Sequence, residues 1–331
     1  MNNKQSTSTG LLRFEHYLQQ LQPILDKANA SENPALVLYQ LNARTPLFML
    51  EALTRLYEKV HDKKMFGKLK VHFKLLEDML GAIDYYDAFH NELAQVKNIP
   101  PAIKKYLQTK TDEKLAALNE VLESEGWSGT DKKRIKKISG KLKKAGWLDE
   151  EKDAAEIKAK YEKIIAGIIE DTSTNEINFD NVEEDVHELR RQLRWLSIYP
   201  QCFCGLFQLK RSNKPTMAQK KYLTKEITSS PFNKMPAKGK LQHIINLNVN
   251  NFYALSWIIA ELGKLKDNGL KIEALTEAIL ATTKSQEKQA LAQAYKISGS
   301  KQLSMAEILS LAKKESDRFF KEGMLEGLVV N

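Results

Sequence analysis

Four cationic side chains are spaced so that they share one stripe of a helix. His187, Arg190, Arg191 and Arg194 are separated by three, four and seven residues from the first of them, which places them on one helical face. Arginine carries a planar fork of donors that fits two phosphate oxygens, and an imidazole adds a donor or a proton near neutral pH. Like charges one turn apart repel, so a row of phosphates would suit this stripe. A basic face that is only solvated, or neutralised by neighbouring carboxylates, is the alternative.

The segment around these residues has the pattern of an amphipathic helix. A second stripe carries the apolar side chains of Val182, Val186, Leu189, Leu193 and Leu196. This alternation of an apolar and a cationic side is typical of a helix that packs on a core. The acids at 183–185 suit the positive end of the helix dipole, and Pro200 is expected to end the helix.

The composition predicts an all-α protein of two compact units or one pseudo-repeated unit. The chain has 331 residues, of which 42% are hydrophobic, with only 15 Gly and 9 Pro. Its 51 Lys and Arg against 42 Asp and Glu give a net charge of +9. An unevenly charged basic surface favours polyanionic partners, without specifying which polyanion.

Three features bear on location. Met1–Gly10 is polar and lacks the apolar core of a signal peptide, so we expect it to be disordered. No run of about 18 apolar residues is present, so neither a membrane span nor a membrane partner is expected. The only two cysteines, Cys202 and Cys204, fit neither a zinc site nor a disulfide scaffold, which favours reduced thiols and a cytoplasmic protein.

The densest positive charge lies between Lys132 and Lys144, where no carboxylate interrupts the run. Thr130 and Asp131 can cap a helix there. We expect a helix that faces a polyanion, although a lysine face that only aids solubility is the alternative. The residues expected to contact phosphate are Lys132, Lys133, Lys136, Lys137 and Lys141.

A second basic region covers residues 208–240. Three prolines, at 215, 231 and 236, interrupt it, so much of it is expected to be loop, able to fold over a bound chain or to stay mobile. Its single acid is Glu226. Its basic residues are Lys210, Arg211, Lys214, Lys220, Lys221, Lys225, Lys234, Lys238 and Lys240.

Two stretches resemble the conserved histidine α-helical domain (CHAD) family. The first is the signature formed by Val186, His187, Leu189, Arg190 and Arg194. The second is a helix that runs into Leu262–Gly263 and then through Lys264 and Lys266 to Asp267. The resemblance implies two pseudo-repeated helical bundles around a basic groove, which bind inorganic polyphosphate. We expect neither a cofactor nor a metal. Lys264 and Lys266 would extend the phosphate-binding track, and the protein would be associated with polyphosphate granules.

The first half of the chain carries only part of this pattern. Leu80–Gly81 repeats the Leu-Gly of the second half, which suggests two similar close helix crossings, although chance recurrence is the alternative. The stretch 42–55, however, has neither the histidine nor the arginine row, and Asp84–Tyr85 replaces the basic-then-acid pair. Either the lysine helix supplies the missing charge together with Lys63, Lys64, Lys68, Lys70 and Lys74, or polyphosphate binding has been lost. We expect that it is retained.

The predicted organisation is a disordered segment 1–10, a first bundle 11–175 and a second bundle 176–331 that contains the basic loop 208–240. The polar stretch 171–180 is the expected junction.

No catalytic constellation is evident, so we expect a binding protein and not an enzyme. A separate triphosphatase could work beside it. The carboxylates of Glu77, Asp78, Asp84 and Asp87 make only a weak candidate metal cluster. Nucleic-acid binding is the main competing hypothesis, but readers of single strands interleave aromatic residues with the basic ones, and the basic runs here contain few. A scaffold that binds an acidic protein is a third hypothesis.

Overall fold

The computed structural model describes residues 8–96, 99–129, 131, 133–174, 178–211, 214–299 and 301–330. Helices dominate these residues and the strands are three and short, so the prediction of an all-α fold is confirmed. No helix among the described residues combines the length and the apolar composition that crossing a bilayer requires.

The chain divides into two compact units whose bounds differ from the predicted halves. Unit 1 comprises Met1–Leu148 and Lys271–Ser300, and unit 2 comprises Asp149–Leu270 and Lys301–Asn331. The first boundary therefore lies before the helix at Glu150–Thr174 and not at residue 175, because that helix packs within unit 2.

Unit 1 is a helical bundle built on three long helices. Its N-terminal elements are α1 (Thr9–Asn29), α2 (Pro34–Gln40), α3 (Arg44–Val60), α4 (Lys63–Ala94), α5 (Pro101–Ser124) and α6 (Lys133–Lys143). Helix α4 packs against α3 on one side and α5 on the other. The rings of Phe14, Tyr57, Phe66 and Trp147 meet in the core at centroid distances of 5.3 to 5.9 Å.

Helix α1 begins earlier than the sequence predicted. The Ser8 hydroxyl accepts a hydrogen bond from the Leu11 N–H, so residues 8–10 belong to an ordered, capped helix start and not to a disordered segment. The indole of Trp147 lies directly against Gly10, where a Cβ would come within 2.3 Å of the ring. Residues 1–7 lie outside the described residues.

Unit 2 combines helices with a small sheet. Its elements in chain order are α7 (Glu150–Thr174), a π-helical turn (Val182–Val186), α8 (His187–Cys202), β1 (Phe207–Lys210), α9 (Met217–Lys220), α10 (Lys225–Ser229), a 3₁₀ turn (Pro231–Asn233), β2 (Ile245–Asn248), the first part of α11 (Val249–Thr282), α13 (Met305–Lys321) and β3 (Val329–Val330). Strand β2 pairs in parallel with β1 and antiparallel with β3. The basic loop 208–240 thus starts in a strand and contains two short helices and a 3₁₀ turn, which the sequence did not predict.

Helix α11 links the two units along the chain. The sequence indicated a helix that runs through Leu262–Gly263 to Asp267, and α11 is continuous well beyond it, over Val249–Thr282. Gly269 lies inside this helix, and Val182 packs against it so closely that a Cβ on residue 269 would come within 2.9 Å of Val182 Cγ1. The last turns of α11 and α12 (Glu287–Ser298) complete unit 1.

Pro200 does not end α8, contrary to the sequence prediction. The helix continues to Cys202. Proline has no N–H to donate to the carbonyl four residues earlier, which here is Leu196. The buried hydroxyl of Tyr161 on α7 donates to that carbonyl instead, at 2.7 Å. The helix can therefore run through the proline without leaving a buried acceptor unpaired.

Candidate functional site

The cationic stripe predicted on α8 is present, but two of its members are already paired along their own helix. His187 Nδ1 lies 2.8 Å from Glu183 Oε1, and Arg191 Nη2 lies 2.5 Å from Glu188 Oε2. The hydrogen bond from His187 lowers the pKa of Glu183. Pairs of this kind on a solvated helix contribute only about 0.3–0.5 kcal/mol, so an incoming anion can replace them at small cost.

Arg190 has a different environment, because it packs against the neighbouring helix. Its Nε donates to the Ile259 carbonyl at 3.2 Å, and its guanidinium lies over Gly263, where a Cβ would come within 3.0 Å of Nε. Burial lowers the pKa of Arg190, and the negative charge of Asp267 opposes that shift. Within the described residues it forms no ion pair, and Arg194, further along α8, is half-buried.

Unit 1 also places an arginine over a helical glycine, in a stretch where the sequence showed no counterpart of the arginine row on α8. Arg44, at the start of α3, lies over Gly81 of α4, where a Cβ would come within 2.8 Å of its Nη2. Its Nε donates to Glu77 Oε1 at 2.8 Å and its Nη1 to Asp84 Oδ2 at 2.9 Å. Each unit thus places an arginine over a helical glycine that follows leucine. The repeated Leu-Gly was the signal that could have led to Arg44.

The arginines of the two units differ in what neutralises them. Arg44 is held by two carboxylates, one of which, Glu77, has a side chain only 10% exposed. Arg190 is held by a neutral carbonyl. The carboxylates considered as metal ligands are engaged in other contacts, since Asp78 binds Lys74 and Asp87 accepts from Tyr39. Among the described residues, no three His, Cys, Asp or Glu side chains are grouped so that they could hold a metal ion.

Helix α6 carries a dense run of lysines. Its apolar edge, Ile138 and Leu142, is buried. The described lysines on and just after α6 form no ion pair with any described residue, and all but Lys141 are exposed. They are Lys133, Lys136, Lys137, Lys141, Lys143 and Lys144. Lys132, which the sequence also assigned to the track, lies outside the described residues.

Arg134 is the exception on α6, and it holds the helix in place. Its Nε donates to the Glu125 carbonyl and its Nη2 to Glu125 Oε2, both at 2.6 Å, while Nη1 lies 3.0 Å from His72 Nε2. A guanidinium can only donate, so Nε2 of His72 accepts and the ring is neutral. Burial and the positive charges of Arg134, Lys141 and Lys137 lower the pKa of His72. A cavity of about 330 Å³ beside Arg134 is lined by Lys133 and Lys137 and also by the acids Glu123, Glu125 and Asp131.

The two lysines predicted on α11 are both paired. Lys264 Nζ lies 2.8 Å from Glu261 Oε1, a hydrogen bond that raises the pKa of Lys264. Lys266 Nζ lies 2.9 Å from Asp267 Oδ1. The predicted residues of unit 2 therefore lie on α8 and on the part of α11 that faces it, and those of unit 1 lie on α6.

Comparisons with models of known protein families, with curated proteins and with solved structures give no match to this chain. The resemblance to the CHAD family therefore rests on the residues of this sequence alone.

Proposed function

We propose that the protein binds inorganic polyphosphate or a similar phosphate-rich polyanion, and that it does so without catalysing a reaction. The observation that carries the proposal is the set of α6 lysines that form no ion pair with a described carboxylate. A second, weaker surface is the stripe on α8, where His187 and Arg191 can exchange their own carboxylates for phosphate. The resemblance to the CHAD family favours polyphosphate among the polyanions.

The lysines along α6 repel one another. Like charges at helical spacing destabilise a helix by a few tenths of a kcal/mol per pair. A polyanion removes this repulsion and releases its own condensed counterions, so the affinity is expected to fall steeply with salt. With 11 residues, α6 is about 16 Å long, enough to follow several phosphates of an extended chain.

The proposed setting is the cytoplasm, in association with polyphosphate granules and with a separate triphosphatase beside the protein. The thiol state of Cys202 and Cys204 fits that compartment.

The test compares two double variants that lose the same charge. Lys136→Gln with Lys137→Gln removes two lysines without ion pairs from α6. Lys152→Gln with Lys158→Gln removes two lysines of α7 that pair with Asp149 and Glu162. We expect the α6 variant to weaken long-chain polyphosphate binding at least tenfold, or about 1.4 kcal/mol, and the α7 variant to weaken it less than twofold.

The salt dependence of the same measurement provides a second check. Loss of two phosphate contacts should reduce the slope of log K against log salt by roughly 1.4 in the α6 variant alone. If both variants lost the same amount of polyphosphate affinity, the net charge of the protein would explain the loss, and this result would contradict a site on α6.

A competition at fixed salt separates the proposal from its alternatives. Long-chain polyphosphate, single-stranded RNA and double-stranded DNA compete for the wild-type protein. Preference for polyphosphate supports the proposal, and preference for nucleic acid supports the main alternative. Absence of binding to all three supports a scaffold that has lost polyanion binding.

A further inference from the structure

Phe232 is the one phenylalanine among the described residues that solvent reaches freely. Its side chain is 75% exposed, whereas most of the others lie in the cores of the two units. It forms the middle of the 3₁₀ turn Pro231–Asn233, inside the basic loop 208–240. A single exposed apolar residue is ordinary on a protein surface, so the significance of Phe232 depends on what holds it and on what surrounds it.

The backbone that carries Phe232 is held from both sides. The Ser230 hydroxyl accepts from the Phe232 N–H at 3.3 Å, and Gln201 Nε2 donates to the Phe232 carbonyl at 2.5 Å. Next to it, the buried side chain of Asn233 donates to the Ile227 carbonyl at 2.8 Å and accepts from the Ser256 hydroxyl at 2.6 Å. The ring is therefore presented on a preorganised turn, which reduces the entropy cost of binding through it.

The segment that follows Glu226 carries positive charge, although a carboxylate of another element, Glu150 of α7, accepts hydrogen bonds from its Gln242 and His243 N–H groups. No carboxylate occurs in the sequence between Glu226 and Glu261. Three exposed lysines lie on this segment, and Lys225 stands directly before Glu226; none of the four forms an ion pair within the described residues. The three on the segment are Lys234, Lys238 and Lys240.

We infer that this turn is a contact site for single-stranded nucleic acid, in which Phe232 stacks on a base and the neighbouring lysines bind the backbone phosphates. Proteins that hold single strands combine cationic side chains with aromatic rings on which bases stack. Polyphosphate has phosphates but no flat apolar group, so it gains nothing from the ring. A bilayer would be expected to meet several exposed apolar side chains, whereas among the described residues of the basic loop 208–240 only Phe232 and Met217 are large, apolar and exposed.

The experiment measures the affinity of a labelled 15-nucleotide oligouridine by fluorescence anisotropy at fixed salt. Phe232→Ala should weaken binding at least about fivefold, since stacking contributes about 1–3 kcal/mol per base. Phe232→Tyr keeps the ring and should retain the wild-type affinity. Met217→Ala is the matched control, because Met217 is 81% exposed in the same unit but has no aromatic face, and it should leave the affinity unchanged.

The affinity of the same proteins for polyphosphate separates this inference from the proposed function. Phe232→Ala should change that affinity less than twofold, and failure of the wild type to bind polyphosphate would leave the oligouridine result standing. The inference is overturned if the wild type binds no oligouridine, if Phe232→Ala leaves that binding unchanged, or if it weakens both ligands equally. Loss of binding to phosphatidylserine vesicles in Phe232→Ala, with oligouridine binding intact, would assign the turn to a bilayer. Unchanged thermal unfolding verifies that the variant is folded.

Discussion

At the scale of single residues, the arrangement of arginine over glycine shows how one geometry gives two electrostatic outcomes. Arg44 and Arg190 each lie on a helical glycine that leaves room for a guanidinium. Glu77 and Asp84 neutralise Arg44, while Arg190 donates to a carbonyl. An anion attracted to unit 1 at this point would have to displace two carboxylates. We therefore assign no phosphate contact to Arg44 and treat its interactions as structural.

The packing of Arg44 on Gly81 predicts that Gly81→Ala changes the stability of unit 1 in opposite directions in the presence and absence of Arg44. In the wild type, Gly81→Ala should destabilise unit 1 by about 1–3 kcal/mol, because the new methyl group displaces the guanidinium and separates it from Glu77. In an Arg44→Ala background the same change should stabilise unit 1 by about 1 kcal/mol, since alanine favours a helix more than glycine does. Urea unfolding of the four proteins measures both effects. The same sign in both backgrounds would contradict the contact.

At the scale of secondary-structure elements, α8 shows why a sequence rule failed. Proline ends most helices because it leaves a carbonyl without its donor. In α8 that donor is supplied by Tyr161, which lies 35 positions earlier along the chain in α7. The exception is therefore a tertiary contact, and no local pattern around Pro200 could have revealed it.

A double-mutant cycle tests whether the Tyr161 hydroxyl replaces the N–H donor that Pro200 lacks. Tyr161→Phe should cost about 1–3 kcal/mol, because the Leu196 carbonyl stays buried and loses its partner. In a Pro200→Ala background the cost should be smaller, since residue 200 then has an N–H that can donate to Leu196. Chemical denaturation gives the coupling energy, expected at about 0.5–3 kcal/mol. Strict additivity would show that Tyr161 and Pro200 act independently.

The difference between local patterns and tertiary contacts explains which features the sequence could predict. Local sequence patterns located α6 and α8, because each of these helices buries one apolar edge. The sequence also held the information for the ion pairs of the α8 stripe, because Glu183 and Glu188 stand about one helical turn before His187 and Arg191. The packing of Arg190 on Gly263, the continuity of α11 past Gly269 and the exposure of Phe232 depend on partners distant in sequence. Periodicity within a segment carries no information about them.

At the scale of the whole molecule, the path of the chain couples the folding of the two units. Unit 1 is complete only when residues 271–300 return to it, and unit 2 needs residues 301–331. The returning segment anchors itself in unit 1 through Glu277, which accepts hydrogen bonds from Tyr86 and Tyr106. In unit 2, Glu322 accepts from Tyr222 at 2.5 Å. Fragments cut at the predicted junction near residue 175 would therefore each lack part of a core.

Truncation after Ser300 separates the two units experimentally. The deletion removes Phe319, Leu325 and Leu328, all of them buried, together with β3 and Glu322. We expect unit 2 to unfold and unit 1 to stay folded. Because α11 passes from one unit to the other, hydrogen exchange should then show a boundary inside this helix, with fast exchange before Leu270 and protection from about Ile272 to Thr282. Uniform protection along α11, or its uniform loss, would show that the two units do not fold as the contacts divide them.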